Sequence, residues 1–216
     1  MPKATANIAV LVSGGGTNLQ ALIKAQNSGI IKSGKINLVI SNNPEAYALC
    51  RAQKAGIKTK VIAKKQFGGL QDAFENALIK ELDGNKTDLI ILAGFMSILS
   101  KKFTDHYKKR IINVHPSLIP SFCGEGFYGL RVHKAALNKG VKVTGATVHF
   151  VNEIPDGGEI IMQKSVAVHS DDTPEILQKR VMRLAEWKIL PLSAEKICSE
   201  ILKENEYGHL QNQQYR

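Results

Sequence analysis

Short runs of apolar, β-branched residues recur along the chain, separated by stretches whose apolar positions fall three and four apart. Residues 7–13 (NIAVLVS), 35–41 (KINLVIS), 58–62 (KTKVI), 88–93 (DLIILA) and 110–115 (RIINVH) have the length and composition of buried strands. Residues 18–26, 47–55 and 70–82 carry the helical spacing, and Gly56 closes the second of these helices. Two further strands, 141–151 and 159–168, are joined by a compact loop and are expected to pair antiparallel at the far side of the sheet. A long helix begins near Pro174 with an expected break at Pro191, and QNQQYR ends the chain as a polar, frayed tail. Strand–helix alternation of this kind predicts an α/β fold: one domain with a Rossmann-like, open, mostly parallel twisted sheet. Helices should cover both faces, and an antiparallel strand should lie near the C-terminal side.

In such a sheet, ligands bind outside the carboxyl ends of the strands, where strand order reverses. Three segments qualify: the glycines after the first strand, AGFMS after the fourth and NVHPS after the fifth. Asn113 and His115 are two apart on a strand and so project to one side. Pro116 cannot donate to a ladder and ends the strand there. Five other histidines (His106, His133, His149, His169 and His209) form the background against which His115 stands out by position. Gly14, Gly15, Gly16 and Thr17 link a strand to a helix, an arrangement whose backbone amides suit an anion such as a monophosphate. Leu19 occupies the third-glycine position of a dinucleotide fingerprint, and a P-loop lysine is missing. The plain alternative is a tight turn capped by Thr17 or Asn18. Asp156 precedes two glycines in the loop between the last strands. That is an ordinary turn pattern, but beside His115 its carboxylate would favour an imidazolium. Amide, imidazole and carboxylate together suit acyl transfer, with Asn113 and His115 on the oxyanion and His115 with Asp156 moving protons.

Composition narrows the setting. The chain has 216 residues, 44% hydrophobic and 22% charged, enough for one domain with a full core. Its net charge of +10 comes from lysines and arginines scattered without a block. Few aromatics interleave with them, so anionic metabolites are expected as partners rather than nucleic acid. The longest apolar stretch, 89–99, is too short to span a bilayer, and no secretory leader is evident. Cys50, Cys123 and Cys198 are odd in number and lack a CxxC, which implies a reducing cytoplasm and neither a disulfide framework nor a zinc site. Cys123 stands beside Gly124 and reads as small and tolerated rather than nucleophilic.

LVSGGGTNLQAL, LAGFMSILS, INVHPSLIPSF and VHFVNEIPDGGEIIMQ, in that order between about 6 and 192, resemble the phosphoribosylglycinamide formyltransferase family within the folate formyltransferases. The resemblance implies transfer of the formyl group of 10-formyltetrahydrofolate to the amine of glycinamide ribonucleotide, without a metal. It implies a nucleotide-binding half over about 6–100, a catalytic and folate half over about 101–205, and a tail from 206. Asn113, His115 and Asp156 take the catalytic positions, with Asp156 keeping His115 protonated. Gly16, Thr17 and Asn18 take the ribonucleotide phosphate, and Arg183 with Glu186 the rest of that substrate, Glu186 reaching a ribose hydroxyl. Gln71, Met96, Ser97, Ile98 and Leu99 and the loop of Asn152, Glu153, Ile154, Pro155 and Asp156 lie on the folate side, with Asn113 shared. Ser97 and Gln71 stand where relatives often carry arginine, Trp187 stands where a histidine is common, and the spacing near Arg183 is one residue longer. A related deformylase would use the same trio on water, and a methionyl-tRNA formyltransferase would carry a further C-terminal domain. A non-catalytic nucleotide- or RNA-binding module would leave the trio unexplained. For a soluble enzyme a homodimer is the general expectation.

Overall fold

The computed structural model describes residues 5–214, with side chains through residue 206. Seven strands form one sheet: β1 (Ala6–Val12), β2 (Gly34–Ser41), β3 (Lys58–Val61), β4 (Leu89–Leu92), β5 (Ile111–His115), β6 (Val143–Phe150) and β7 (Ile160–Ala167). Their order is β3-β2-β1-β4-β5-β6-β7. β1 pairs in parallel with both β2 and β4, so the strand order reverses between β1 and β4, and the loops after these strands flank the crevice. β6 runs antiparallel to β5 and to β7.

Alternation within β1 shows why the central strands are apolar throughout. Ile8, Val10 and Val12 pack on one side with α1 (Thr17–Asn27), α2 (Tyr47–Lys54) and α7 (Trp187–Gln214). Ala9 and Leu11 pack on the other with Phe74 and Leu78 of α3 (Gln71–Gly84) and Phe103 of α4 (Lys101–His106). Both faces are thereby covered at the sheet's centre, so the central strands are apolar on either side, while β3 and β7 at the edges carry polar, exposed positions.

The structure adds two helices to those legible in the sequence. α4 is six residues long, too short to show a period, and is capped by Ser100 Oγ accepting from Phe103 N at 3.3 Å. α5 (Leu130–Lys139) buries Val132, His133 and Ala136. The expected break at Pro191 is not where the helix changes. α6 (Pro174–Val181) passes through a π-helical turn, Met182–Glu186, into α7, which continues straight through Pro191. Ile189, Leu190, Ala194, Ile197, Cys198 and Ile201 bury one face of α7, and that packing outweighs the roughly 3 kcal/mol a mid-helix proline costs. The anticipated polar tail continues α7 to Gln214 in its backbone; its side chains, and residues 215–216, lie outside the described residues.

Candidate active site

A cleft of about 690 Å³ opens at the carboxyl ends of β1, β4 and β5. Asn113 and His115 line it from β5, because residues two apart on a strand share a face. Asp156 reaches it from the β6–β7 loop, where its own φ of 55° is left-handed. The two glycines that follow are required there. A Cβ on Gly157 would lie 2.7 Å from Ile154 Cγ2, and one on Gly158 would collide with the Phe150 carbonyl oxygen. The loop therefore doubles back tightly and aims the carboxylate inward.

Asp156 Oδ2 lies 3.3 Å from His115 Nδ1 and accepts from Gly124 N at 2.9 Å. On the far side of the ring, His115 Nε2 donates to the Phe122 carbonyl at 2.8 Å, and Phe122 holds a left-handed φ of 50° to present that oxygen. Burial pulls the His115 pKa below its ordinary value. Asp156 and the Phe122 carbonyl pull upward but do not overcome it. Both ring nitrogens nonetheless face acceptors, the Asp156 carboxylate and the Phe122 carbonyl, an arrangement that suits the imidazolium. Asp156 itself stays below the usual carboxylate value despite the opposing effect of burial, because His149, His115 and Gly124 N all favour its charge.

His149 is a member of the site that the sequence reading left in the background. It pairs with Asn113 across β5 and β6. Its Nδ1 donates to the Phe150 carbonyl at 2.7 Å, and its Nε2 lies 3.2 Å from Asn113 Nδ2 and 3.5 Å from Asp156 Oδ1. Only the strand register reveals this, since His149 lies 36 residues from Asn113. His133 of α5 also lines the cleft, fully buried with no partner on either ring nitrogen; burial, with His115 nearby, pushes its pKa down to about 4.

At the other end of the cleft, Asn18 and Glu186 meet. Asn18 Nδ2 donates to Glu186 Oε2 at 2.7 Å, while Asn18 Oδ1 is buried without a donor. Burial lifts the Glu186 pKa to about 7, and the Asn18 bond opposes it only in part. Gly16 takes φ 69° as α1 begins, and a Cβ there would lie 2.6 Å from the Ala48 Cβ. Thr17 Oγ1 donates to Met182 Sδ at 3.7 Å; Met182 lines the cleft, while Thr17 lines a neighbouring concavity beside α1. Arg183 and Glu186 both fall in the π-helical turn, Met182–Glu186. Glu186, at the end of that turn, faces inward, whereas Arg183 is exposed and does not line the cleft.

The remaining candidates divide similarly. Met96, Ser97 and Ile98 line the cleft, with Met96 N bound to Ser13 Oγ at 2.8 Å and Ser97 Oγ accepting from Asn42 Nδ2 at 2.8 Å. Leu99 is a core residue packed with Phe74 and Phe103. Gln71 stands behind the loop, donating to the Ile98 carbonyl at 3.1 Å and to Glu75 at 2.6 Å. Glu75, unnoticed in the sequence, is buried and also accepts from Ser100 N at 2.7 Å, tying that loop to α3. Pro155 lines the cleft with Asp156, while Glu153 and Ile154 are exposed at the loop tip and Asn152 Oδ1 braces it by accepting from Ile154 N at 3.0 Å. Among the described residues, no cluster of three or more His, Cys, Asp or Glu is placed to hold a metal ion.

Residues 6–193 match the formyl transferase family. The chain belongs to that family. This formyltransferase is 41% identical over 186 residues to phosphoribosylglycinamide formyltransferase of Escherichia coli, covering 86% of this chain and 84% of that one. A bovine trifunctional purine biosynthetic protein is 42% identical over 205 residues, 95% of this chain, of which the match spans about a fifth of the relative's length (20%). The crystal structure of glycinamide ribonucleotide transformylase 1 from Symbiobacterium toebii superposes with a TM-score of 0.84 at 37% identity, covering 91% of this chain and 89% of that one. The seven-stranded sheet is therefore the family's, and the chain is a formyltransferase enzyme.

Proposed function

We propose that this formyltransferase moves the formyl group of 10-formyltetrahydrofolate to the amine of glycinamide ribonucleotide, a step of purine biosynthesis, in the cytoplasm. The observation that carries the reading is the approach of His115 Nδ1 to Asp156 Oδ2 at 3.3 Å beside Asn113, in a cleft whose other end holds the buried Asn18–Glu186 pair. The amine nitrogen attacks the formyl carbon, the new C–N bond forms, and the carbonyl electrons move onto oxygen. Asn113 Nδ2 donates to that oxyanion. His115 and Asp156, 3.3 Å apart, take up the amine's proton and relay it. The bond to folate N10 then breaks, and the proton passes to N10. His115 reaches the oxyanion itself only by exchanging the Phe122 carbonyl for it.

Several features support the substrate assignment. Asn18 Oδ1 is a buried acceptor without a donor, and ribose hydroxyls are donors. Glu186 offers a second acceptor in the same place, and the amides from Gly16 to Asn18 at the start of α1 suit the phosphate. Met96, Ile98 and Pro155 supply apolar surface on the folate side. The test mixes the purified protein, a 10-formyl folate analogue and glycinamide ribonucleotide and follows folate release. Release dependent on the ribonucleotide is expected. Release without it would make the protein a deformylase, and no release would remove the catalytic reading.

A further inference from the structure

A second concavity, of about 490 Å³, lies between α1 and the start of α7, on the face of α1 turned away from the catalytic cleft. Ala21 and Ala25 form one wall, Trp187, Pro191 and Leu192 the other. Leu192 is 49% exposed and Ile30, at the mouth, 47%, so the apolar surface is open to solvent rather than sealed as core. The charged residues around it are Lys24, Arg51 and Lys188, and no acid lines it. The Trp187 Nε1 is a buried donor without a partner. An apolar floor of this volume, with Thr17 and Gln20 at one end and only cationic groups among its charged neighbours, is the complement of an amphipathic anion. Arg51 also reaches the glycine loop: its Nε donates to the Gly15 carbonyl at 2.8 Å and its Nη1 to Gln20 Oε1 at 3.0 Å. An anion that drew the guanidinium toward itself would loosen its hold on Gly15, two residues before Thr17.

We propose that this cavity is a second ligand site, for a small molecule with a flat apolar body and one anionic group, and that its occupancy weakens phosphate binding at the glycine loop through Arg51. The coupling rests on the phosphate reading of that loop; the site itself does not.

Trp187 is the chain's single tryptophan; transfer from it reaches a probe anywhere on the domain, so the Lys24→Glu/Lys188→Glu variant is what assigns the signal to this cavity. The test titrates the full chain with 8-anilinonaphthalene-1-sulfonate and reads energy transfer from Trp187, with the uncharged N-phenyl-1-naphthylamine as control. Saturable transfer at one site is expected, about tenfold weaker for the neutral probe and for the Lys24→Glu/Lys188→Glu variant with unchanged circular dichroism. Equal affinity for both probes, or transfer untouched by the double variant, would overturn the site. Sedimentation of the same samples adds a further check, since a dimer that shields Trp187 from the probe would assign the face to self-association instead. Calorimetry with ribose 5-phosphate then reads the coupling, expected as about threefold weaker binding in the presence of the probe. An unchanged affinity would overturn the coupling and leave the site. No binding of ribose 5-phosphate at all would count against the phosphate loop, while the transfer signal would still judge the cavity.

Discussion

Replacing Glu186 with glutamine separates what burial does to this carboxyl from what its hydrogen bond does. The side chain is 6% exposed and receives one hydrogen bond, from Asn18 Nδ2. Burial raises its pKa from 4.5 to about 7. An acid held higher in the folded than in the unfolded chain favours folding below the unfolded value and loses that contribution as pH rises through the folded value. A rise of this size corresponds to roughly 3 kcal/mol, withdrawn progressively between about pH 4.5 and about pH 7.5. In a domain of this length one kcal/mol moves Tm by about 2–4 °C, so this single group should lower Tm by roughly 6–12 °C across that window. Glutamine keeps an oxygen to accept from Asn18 and cannot ionise. Thermal unfolding of ligand-free wild type and Glu186→Gln from pH 5 to pH 8 cancels every other titration in the difference. The variant's Tm relative to wild type should therefore climb by roughly 6–12 °C over the series. Parallel curves would show that the carboxyl is not desolvated as the structure has it. Ribose 5-phosphate gives the functional counterpart: a hydroxyl donating to this carboxylate should bind more tightly above pH 7 in wild type and show no such trend in the variant.

Three further substitutions test other parts of the site. Asp156→Asn removes the charge 3.3 Å from His115, so the ring's pKa should fall further below its ordinary value and turnover should drop ~10²–10⁴-fold. Ribonucleotide affinity should change little, and turnover within a few-fold of wild type would reduce Asp156 to a turn residue. Gly158→Ala places a methyl on the Phe150 carbonyl, and calorimetry should show a loss of about 1–3 kcal/mol with activity falling as the loop carrying Asp156 shifts; an unaffected enzyme would mean the loop is not held as described. Leu99→Ala should cost about 2–5 kcal/mol in denaturant unfolding with little change in folate KM, since the side chain is core. The reverse result would return Leu99 to the folate contacts.

The local pattern of the chain was sufficient for the central strands, because a strand buried on both faces has to be apolar at nearly every position, as residues 8–12 of β1 and all of β4 are. It was sufficient for Asn113 and His115 as well, whose common side follows from a two-residue spacing before Pro116. The six-residue α4 escaped it, being too short to show a period, and α5 went unread. The site's remaining members depend on which strands are neighbours. His149 joins Asn113 only through the β5–β6 register, and the Phe122 carbonyl meets His115 only because a left-handed residue turns it inward. The direction in which the His115 pKa moves was decided by the tertiary structure too. A carboxylate beside a histidine raises its pKa, but how much water is removed from the ring depends on everything packed around it, and here desolvation is the larger effect. Likewise the family motif names Glu186, but nothing local says that a π turn would bury it against Asn18, 168 residues away. Spacing along a strand or helix is a local property of the chain, whereas burial and register are properties of the packed whole.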